Sequence, residues 1–514
     1  MSNDKKYAYY SDFGAKGDGV TDDFTALYDT HVYANEHGLE VKGSVNAVYY
    51  IGKSSFGKSI PVMTDADFGG ATFVIDDSNL PPHTKQASDI FRVCPTPECD
   101  VKCLPNECFE GLSIKVGDEN IGVKFDKKSL VTVYNNDRIF IRHGPNKASS
   151  QKREMLIVEP DGTVDPSTPV MWDYPEVTAI HVRSLEEKPL TLKNGTFVTI
   201  ANRLWNFTDE EKAQGWCEGS QYYYYGRGIR IFRSNTTVRE VTHFIRGEEE
   251  RGGYPYAGWI SSDNCANILY ENCKFTGHKA YKTAFNNTYM GSYDFNLGNA
   301  VNITWRNCTQ LNDITDKGYW GVMCSNFGRN LTYDHCVLSR FDAHEGSWNI
   351  TVKDSVLGHE FNAVGGGEML VENTKKLGES WQFLYLRNDY GSPWRGNITI
   401  RNCEHVGNKG SDKDHMNIIG GFYTNWDFGF NSVMPQHITI ENFKADSARI
   451  NIIAYDGITP ECLEAGEGNL NVLSPTKQVD IINQEQPICL SKADNYLYDL
   501  AECGKLTVNG EYGR

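Results

Sequence analysis

The segment Asn397-Ile-Thr-Ile-Arg-Asn-Cys403 returns along the chain in recognisable copies. Asn302-Ile-Thr-Trp-Arg-Asn-Cys308, Asn330-Leu-Thr-Tyr-Asp-His-Cys336 and Asn267-Ile-Leu-Tyr-Glu-Asn-Cys273 keep its pattern. Asn349-Ile-Thr-Val-Lys-Asp-Ser355, Met369-Leu-Val-Glu-Asn-Thr374 and His437-Ile-Thr-Ile-Glu-Asn-Phe443 are degraded versions. Apolar residues hold the second and fourth positions with polar ones between, so each copy reads as a short strand followed by a bend. Copies starting at 267, 302, 330, 349, 369, 397 and 437 lie 35, 28, 19, 20, 28 and 40 residues apart. A unit with a floor near 20 residues and insertions above it describes an all-β solenoid, a parallel β-helix whose loops bulge at particular corners. Ile268, Ile303, Leu331, Ile350, Leu370, Ile398 and Ile438 then form one interior column.

The opening of the chain agrees. Asp12-Phe-Gly-Ala-Lys-Gly-Asp-Gly-Val-Thr-Asp-Asp23 resembles the start of the pectate-lyase superfamily of right-handed parallel β-helices, in the branch that holds glycan hydrolases, mannuronan C5-epimerases and phage tail spikes. Thr21, Asp22 and Asp23 make a good helix start, and Gly38 a good stop after Phe24, Leu27, Tyr28 and Val32. Such a helix would cap the first coil, which otherwise exposes a sheet edge. The resemblance implies the architecture; its branch hosts many chemistries.

The chain divides into a cap and first strands (1–60), irregular early coils with long loops (61–234), regular coils (235–445) and C-terminal coils and cap (446–514). Asn46-Ala-Val-Tyr-Tyr-Ile51, Thr72-Phe-Val-Ile75 and Val131-Thr-Val-Tyr134 are expected strands of the first two regions.

Fifty basic against 67 acidic residues leave a net charge of −17, which argues against nucleic acid or an anionic membrane as partner. No stretch approaches the ~20 apolar residues that span a bilayer. Met-Ser-Asn-Asp-Lys-Lys-Tyr7 lacks an apolar secretion core, leaving a cytoplasmic, a virion-associated or a secreted protein cloned without its signal. A monomer or a homo-oligomer, a trimer included, is compatible with the sequence.

Cys273, Cys308, Cys336 and Cys403 share the seventh repeat position, where a small apolar residue is expected to stack inward and stay unpaired. Cys94, Cys99, Cys103 and Cys108 form a separate cluster in a Pro-rich insertion. Its spacings leave a structural zinc, disulfides or free thiols open, as one stapled loop. No cofactor is required for catalysis on this reading. The Asn-x-Thr sequons, Asn194, Asn302, Asn330 and Asn397 among them, are mostly the repeat itself: Asn satisfies its own backbone at a turn and can ladder with its copies.

Equivalent positions of consecutive coils line up, so chemistry is sought in columns. His278, Asp313 and Glu360 fall eleven residues after their repeat starts and Asp342 twelve, which places carboxylates on adjacent coils roughly 5 Å apart. Like charges so placed raise one pKa and leave the other ionised, as an acid and a nucleophile or base require. Asp342 and His344 are two residues apart, so on a strand they face the same way. Arg340-Phe-Asp-Ala-His-Glu345 resembles the Asp-Pro-His-Glu segment of mannuronan C5-epimerases. That resemblance implies His344 as base or acid and Asp342 as its support; the family's Tyr three residues before the Asp is Ser339 here. Arg387, Asp389, Tyr390 and Trp394 end another strand, with Trp426 one coil on and Tyr293-Asp294-Phe295 earlier. Acid flanked by aromatics is the composition of a sugar groove.

Three functions compete. A glycoside hydrolase would use Asp342 with Asp313, Glu360 or Asp389. A uronate lyase or epimerase would use His344, with Lys279, Lys317, Arg340 or Arg387 neutralising the substrate carboxylate. A silent receptor-binding spike would bind a glycan and leave it whole. Acidity and aromatic content favour a neutral or amino glycan and hydrolysis.

Overall fold

A computed structural model describes residues 6–80, 88–141, 149–201, 210, 226–248, 256–279, 281–282, 289–290, 293–319, 323–387, 393–411, 415–423, 431–458, 472–490 and 506–512. It is a parallel β-helix, as the repeat requires, and falls into two compact units. One comprises residues 1–100, 185–297 and 304–324; the other 101–184, 298–303 and 325–514.

The helix of the first unit runs Phe24–His37 and ends on Gly38 in the left-handed region (φ 64°). Asp23 sits at its N-cap but gives it no side-chain bond. Its carboxylate accepts the backbone N–H groups of Lys16 and Gly17 (2.7 and 2.9 Å), tying down the loop before it. Phe24 and Leu27 face inward as expected, but the stripe continues through Thr30, His31 and Ala34, while Tyr28 is exposed. The first coils follow, with Val48–Ile51 pairing in parallel with Thr72–Asp76 and that strand with Leu190–Ile200. Leu190–Ile200 then pairs with Thr236–Arg246, which pairs with Ala266–Glu271.

The second unit carries the longest unbroken column. Leu331 pairs with Ile350, Ile350 with Met369, Met369 with Ile398, Ile398 with Ile438, Ile438 with Val479 and Val479 with Leu506. All seven are buried, each worth about 1.5–3 kcal/mol. Met369 stands where Leu370 was expected, and Leu370 points the other way. The copy begins at Glu368, which takes the Asn place: its backbone N–H donates to Asn349 Oδ1 (2.9 Å) and its carboxylate accepts Asn397 Nδ2 (2.8 Å). A one-residue slip in a strand inverts every side chain, which is why that copy looked degraded. The C-terminal coils run through Arg449–Asp456, Gln478–Ile482 and Leu506–Val508.

The repeats take positive φ at two recurrent positions. At the first position Asn235, Asn267, Asn302, Asn330 and Asn349 have φ between 53° and 61°. At the sixth, Asn272, Asn307, Asn373, Asn402, Asn442 and Asn483 lie between 48° and 54°. Asn tolerates this region better than other side-chain-bearing residues. The amides ladder as expected: Asn267 to Asn235 (2.9 Å), Asn330 to Asn302 (2.7 Å), Asn349 to Asn330 (2.8 Å) and Asn402 to Asn373 (3.3 Å). The sequons are therefore turn chemistry.

Residues 101–184 are not coils. Ser129–Ile141, Ser149–Val158, Ala179–Ser184 and Lys102–Cys103 form a separate antiparallel sheet, in which the expected Val131–Tyr134 strand lies. It is pinned to the coils of its own unit by Arg329, whose guanidinium meets Glu154 (3.2 Å) with both side chains about 2% exposed or less, and also donates to Met155 O and Pro169 O. Trp172 of the insertion meets Trp348 edge-on (6.1 Å) and lies under Arg395 (4.4 Å).

Cys273, Cys308, Cys336 and Cys403 are buried as the repeat position predicts, and burial pushes the Cys403 thiol up to about 12. The other four cysteines are spread over several short elements. Cys94 and Cys99 belong to the first unit, Cys103 and Cys108 to the second, where both are exposed. They occupy a strand end, two short 3-10 turns and an edge strand. Among the described residues no three of them converge at metal-ligand spacing.

Candidate functional site

Three consecutive strands of the second unit build the site: Val337–Asp342, Val356–Ala363 and Gln382–Leu386. Arg340 is in register with Glu360, Asp342 with Asn362, and Asn362 with Tyr385. The first pair of strands changes register between Leu338 and Arg340, the sort of irregularity that re-aims side chains beside functional sites. Beyond it Val337–Asp342 loses its alternation, and Ser339, Arg340, Phe341 and Asp342 are all buried.

Asp342 is the hub. Arg340 Nη2 and His344 Nε2 meet its Oδ2 at 2.5 and 2.7 Å, and Arg387 Nη1 donates to Oδ1 at 3.0 Å. Arg340 Nη1 also ion-pairs with Glu360 (2.7 Å), whose Oε2 accepts Asn362 Nδ2 (3.0 Å). Burial would push the Asp342 carboxyl up; Arg340, then His344 and Arg387, outweigh it and hold the group far below the usual carboxylate range. These cations therefore favour the ionised form of Asp342. The expected pair of carboxylates with split pKa values is replaced here by one carboxylate among cations, so Asp342 is not a proton donor.

Exposure separates the roles. The Asp342 side chain is 0% exposed, Arg340 5%, His344 9% and Arg387 14%, whereas Glu360 is 38% exposed. Glu360 is the carboxylate of this cluster that reaches solvent.

Other sequence candidates fall elsewhere. Asp313, in the first unit, is exposed and spends both its contacts on its own turn, Oδ1 accepting the N–H and hydroxyl of Thr315 (2.8 Å each). Trp394 is fully buried, its indole N–H donating to Gly367 O (3.1 Å) and Asn397 O (3.2 Å), and forms part of the coil wall, not a groove. Asp389, Tyr390 and Trp426 lie outside the described residues.

His278 and Lys279 belong to a network of the first unit that sequence patterns did not isolate. His278 Nδ1 meets Glu248 at 2.6 Å and its Nε2 lies 3.5 Å from Asp294; Asp294 also meets His243 Nδ1 (3.2 Å), and His243 Nε2 pairs with the Thr199 hydroxyl (2.9 Å). Lys279 N–H donates to Glu248 (3.0 Å). Burial lowers His278, but Glu248 and Asp294 overcome it and the net shift is upward; for His243 burial wins and the shift is downward. Trp259 stacks on His243 (4.4 Å) and Tyr256 on His278 (5.1 Å). Both histidines and Asp294 are fully buried, so this network braces loops rather than meeting substrate. Its members come from 80 or more residues of chain, beyond any local pattern; of them the sequence singled out His278, Lys279 and Asp294, but not their grouping.

Asp334, His335 and Asp354 are the one group among the described residues with three ligand atoms within 4.8 Å of one another. His335 meets Asp334 (2.7 Å), Lys353 Nζ lies 3.6 Å from the same carboxylate, and Asp354 accepts Asn373 (3.0 Å). These are turn contacts between adjacent coils.

Comparison with known proteins adds the following. No family model matches the chain. A capsule KL64-specific depolymerase of Klebsiella phage P510 is 29% identical over 145 residues, 26% of this chain and 14% of that protein; the chain spans well under two thirds of that relative's length. Among solved structures, the Gp54 tailspike of Acinetobacter baumannii bacteriophage AP22, in complex with a capsular saccharide, is similar over 94% of this chain and 76% of that one, with a TM-score of 0.50 and 12% identity. The tailspike gp49 of Pseudomonas phage LKA1 covers 93% and 81%, with a TM-score of 0.46 and 12% identity. Likeness at that identity concerns the fold. Among the described residues no helix is long and apolar enough to cross a membrane.

Proposed function

We propose that this chain is a virion-associated, tailspike-type enzyme that shortens a bacterial capsular polysaccharide, by hydrolysis at the surface where Glu360 stands beside the Asp342 cluster. The β-helix architecture and the local similarity to a capsule depolymerase support the glycan as substrate. The observation that carries the chemistry is the charge arrangement. Arg340 and Arg387, which a uronate lyase would aim at the substrate carboxylate, both meet Asp342, and Arg340 meets Glu360 too. The cluster thus balances its own charge and favours a neutral or amino sugar.

In this reading Glu360 is the carboxylate that meets the glycosidic bond, acting by proton transfer or nucleophilic attack. Asp342 does not touch substrate: it positions Arg340, His344 and Arg387. Asp389, two residues along the chain from Arg387, is the candidate second carboxylate.

One observation favours a second reading. An ionised Asp342 on His344 Nε2 orients the imidazole and supports it as a base, the arrangement that β-elimination at a uronate uses. Digestion of a panel of capsular polysaccharides decides between them. New reducing ends without ultraviolet-absorbing unsaturated uronate support hydrolysis, unsaturated ends support elimination, and intact polymer throughout with retained binding would mean a spike that only binds.

A further inference from the structure

The far end of the strand that leads to Arg387 carries a second feature. Of the six tryptophans whose burial is described, Trp172, Trp259, Trp305, Trp348 and Trp394 are at most 8% exposed; Trp381 is 41% exposed. It stands just before Gln382–Leu386, six residues from Arg387. Tyr385 of that strand is in register with Asn362, two residues past Glu360, so at about 3.3 Å per residue and about 4.8 Å between strands the Trp381 backbone stands roughly 10 Å from that of Glu360.

Trp381 is not a loose surface residue. Ser380 N–H donates to Asn408 Oδ1 (3.0 Å) and Asn408 Nδ2 returns a bond to Ser380 O (2.8 Å). Trp381 O accepts Asn417 N–H (2.9 Å). Asn408 is fixed in turn by Asp446, whose carboxylate accepts the N–H groups of Gly407, Asn408 and Lys409 (2.8, 3.1 and 3.2 Å). Gly407 sits at φ 144°, and a Cβ there would lie 2.5 Å from the carbonyl carbon of Gly378 on the previous coil. Two adjacent turns are thus locked together beneath the indole.

The turn also repeats along the coils. The His415 ring lies 4.7 Å from the Trp381 ring at 43°, and His415 is in register with the exposed Arg449 one coil further. Glu379 and Lys409 on the same turns are exposed. An aromatic face beside an imidazole, on turns that also carry an exposed arginine, lysine and glutamate, offers a sugar ring a flat apolar surface for its C–H face and polar groups nearby for its hydroxyls. Holding the platform rigid removes the ordering cost that a free side chain would add on binding.

We propose that Trp381, with His415 and Arg449, is a glycan-holding subsite that binds a hexopyranose unit away from the bond being cut. It rests on the glycan reading above but not on the chemistry at Glu360. A polymer held there as well as at the cluster would stay attached between cleavage events.

Saturation-transfer NMR with methyl β-D-glucopyranoside and methyl β-D-galactopyranoside as probes tests this on the full chain. The wild type is expected to bind at least one of them. Trp381→Ala should weaken that binding roughly tenfold, the order of one lost stacking ring, and Trp381→Phe should retain most of it. Thermal melting serves as the fold control. No transfer to either glycoside in the wild type, or equal binding by wild type and Trp381→Ala, overturns the proposal. Binding lost with Trp381 while no polysaccharide is shortened leaves the subsite standing and sinks the cleavage reading. Cleavage with glycoside binding indifferent to Trp381 does the reverse.

Discussion

Replacing Glu360 and replacing Asp342 should have opposite profiles in activity and stability. Glu360 is 38% exposed and holds one arginine that also has Asp342. Glu360→Gln keeps the side-chain shape, and losing a solvent-screened ion pair of this kind costs at most about 1 kcal/mol. Its effect on turnover should be much larger, a loss of roughly 10²–10⁴-fold if Glu360 carries the proton or attacks the sugar. Asp342→Asn strips the charge from a fully buried hub contacted by two guanidiniums and His344. Removing one member of a buried ion cluster typically destabilises by about 3–5 kcal/mol, because the remaining charges are left without compensation. Asp342→Asn should therefore lose activity and melt early together. Reducing-end release from a susceptible polysaccharide, with melting temperature on the same samples, reads both. Full turnover in Glu360→Gln at an unchanged melting temperature removes Glu360 from the chemistry. An unchanged melting temperature in Asp342→Asn would mean that the hub is not the charge-compensated cluster described.

Acid should weaken the fold through His405, which is fully buried and held down to about 4 by burial and by Lys376. The unfolded chain titrates it near 6.5. Since the unfolded state binds that proton first, stability is full above about 6.5 and falls towards 4, by about 3 kcal/mol for this group. His405→Leu should flatten that share of the slope in melting temperature between neutral and acidic pH; an unchanged slope counts against it. Arg329→Met leaves Glu154 buried without its partner and should cost about 3–5 kcal/mol, whereas adding Glu154→Leu should recover part of that; limited proteolysis within 101–184 reports the loss, and a double variant worse than the single contradicts the account. Native alkylation followed by peptide mass spectrometry should label Cys103 and Cys108, and reach Cys273, Cys308, Cys336 and Cys403 only after unfolding. Labelling of the coil cysteines in the native protein would show that the column is open.

The coils were legible because the repeats meet recurring constraints: two apolar positions inside and positive-φ turns that favour Asn. Where another residue filled the role, the signal failed. Glu368 in the Asn position shifted one copy by a residue, and Gln478-Val-Asp-Ile-Ile-Asn483 passed unnoticed because Gln replaces the leading Asn, though Val479 continues the Ile438 column. The antiparallel insertion was not legible at all. Alternation in Val131–Tyr134 is the same for a strand paired either way, and its anchor, Arg329 with Glu154, spans 175 residues.

The site shows where register stops being enough. Counting along repeats placed Asp342 and Glu360 on neighbouring coils, and they are neighbours, with Arg340 between them. The count could not supply the partners' signs. Arg340 precedes Asp342 by two residues and so shares its face, while Arg387 reaches back from the second coil along, which no spacing within a single strand encodes. Those two cations turn a presumed acid–base pair into an ionised hub with one solvent-facing carboxylate. Trp394 failed for the opposite reason: its aromatic-rich neighbourhood looked like a sugar groove, but a ring of that size stacked in a coil is equally a wall, and its indole N–H bonds to Gly367 and Asn397 settle which. The exposed ring that fits a sugar is Trp381, which the sequence did not distinguish from the buried ones. What separates the two is the bonded turn beneath Trp381, built by Asn408 and Asp446 from later coils. In a solenoid, the residue that binds is chosen by its neighbours on adjacent turns rather than by its neighbours in the chain.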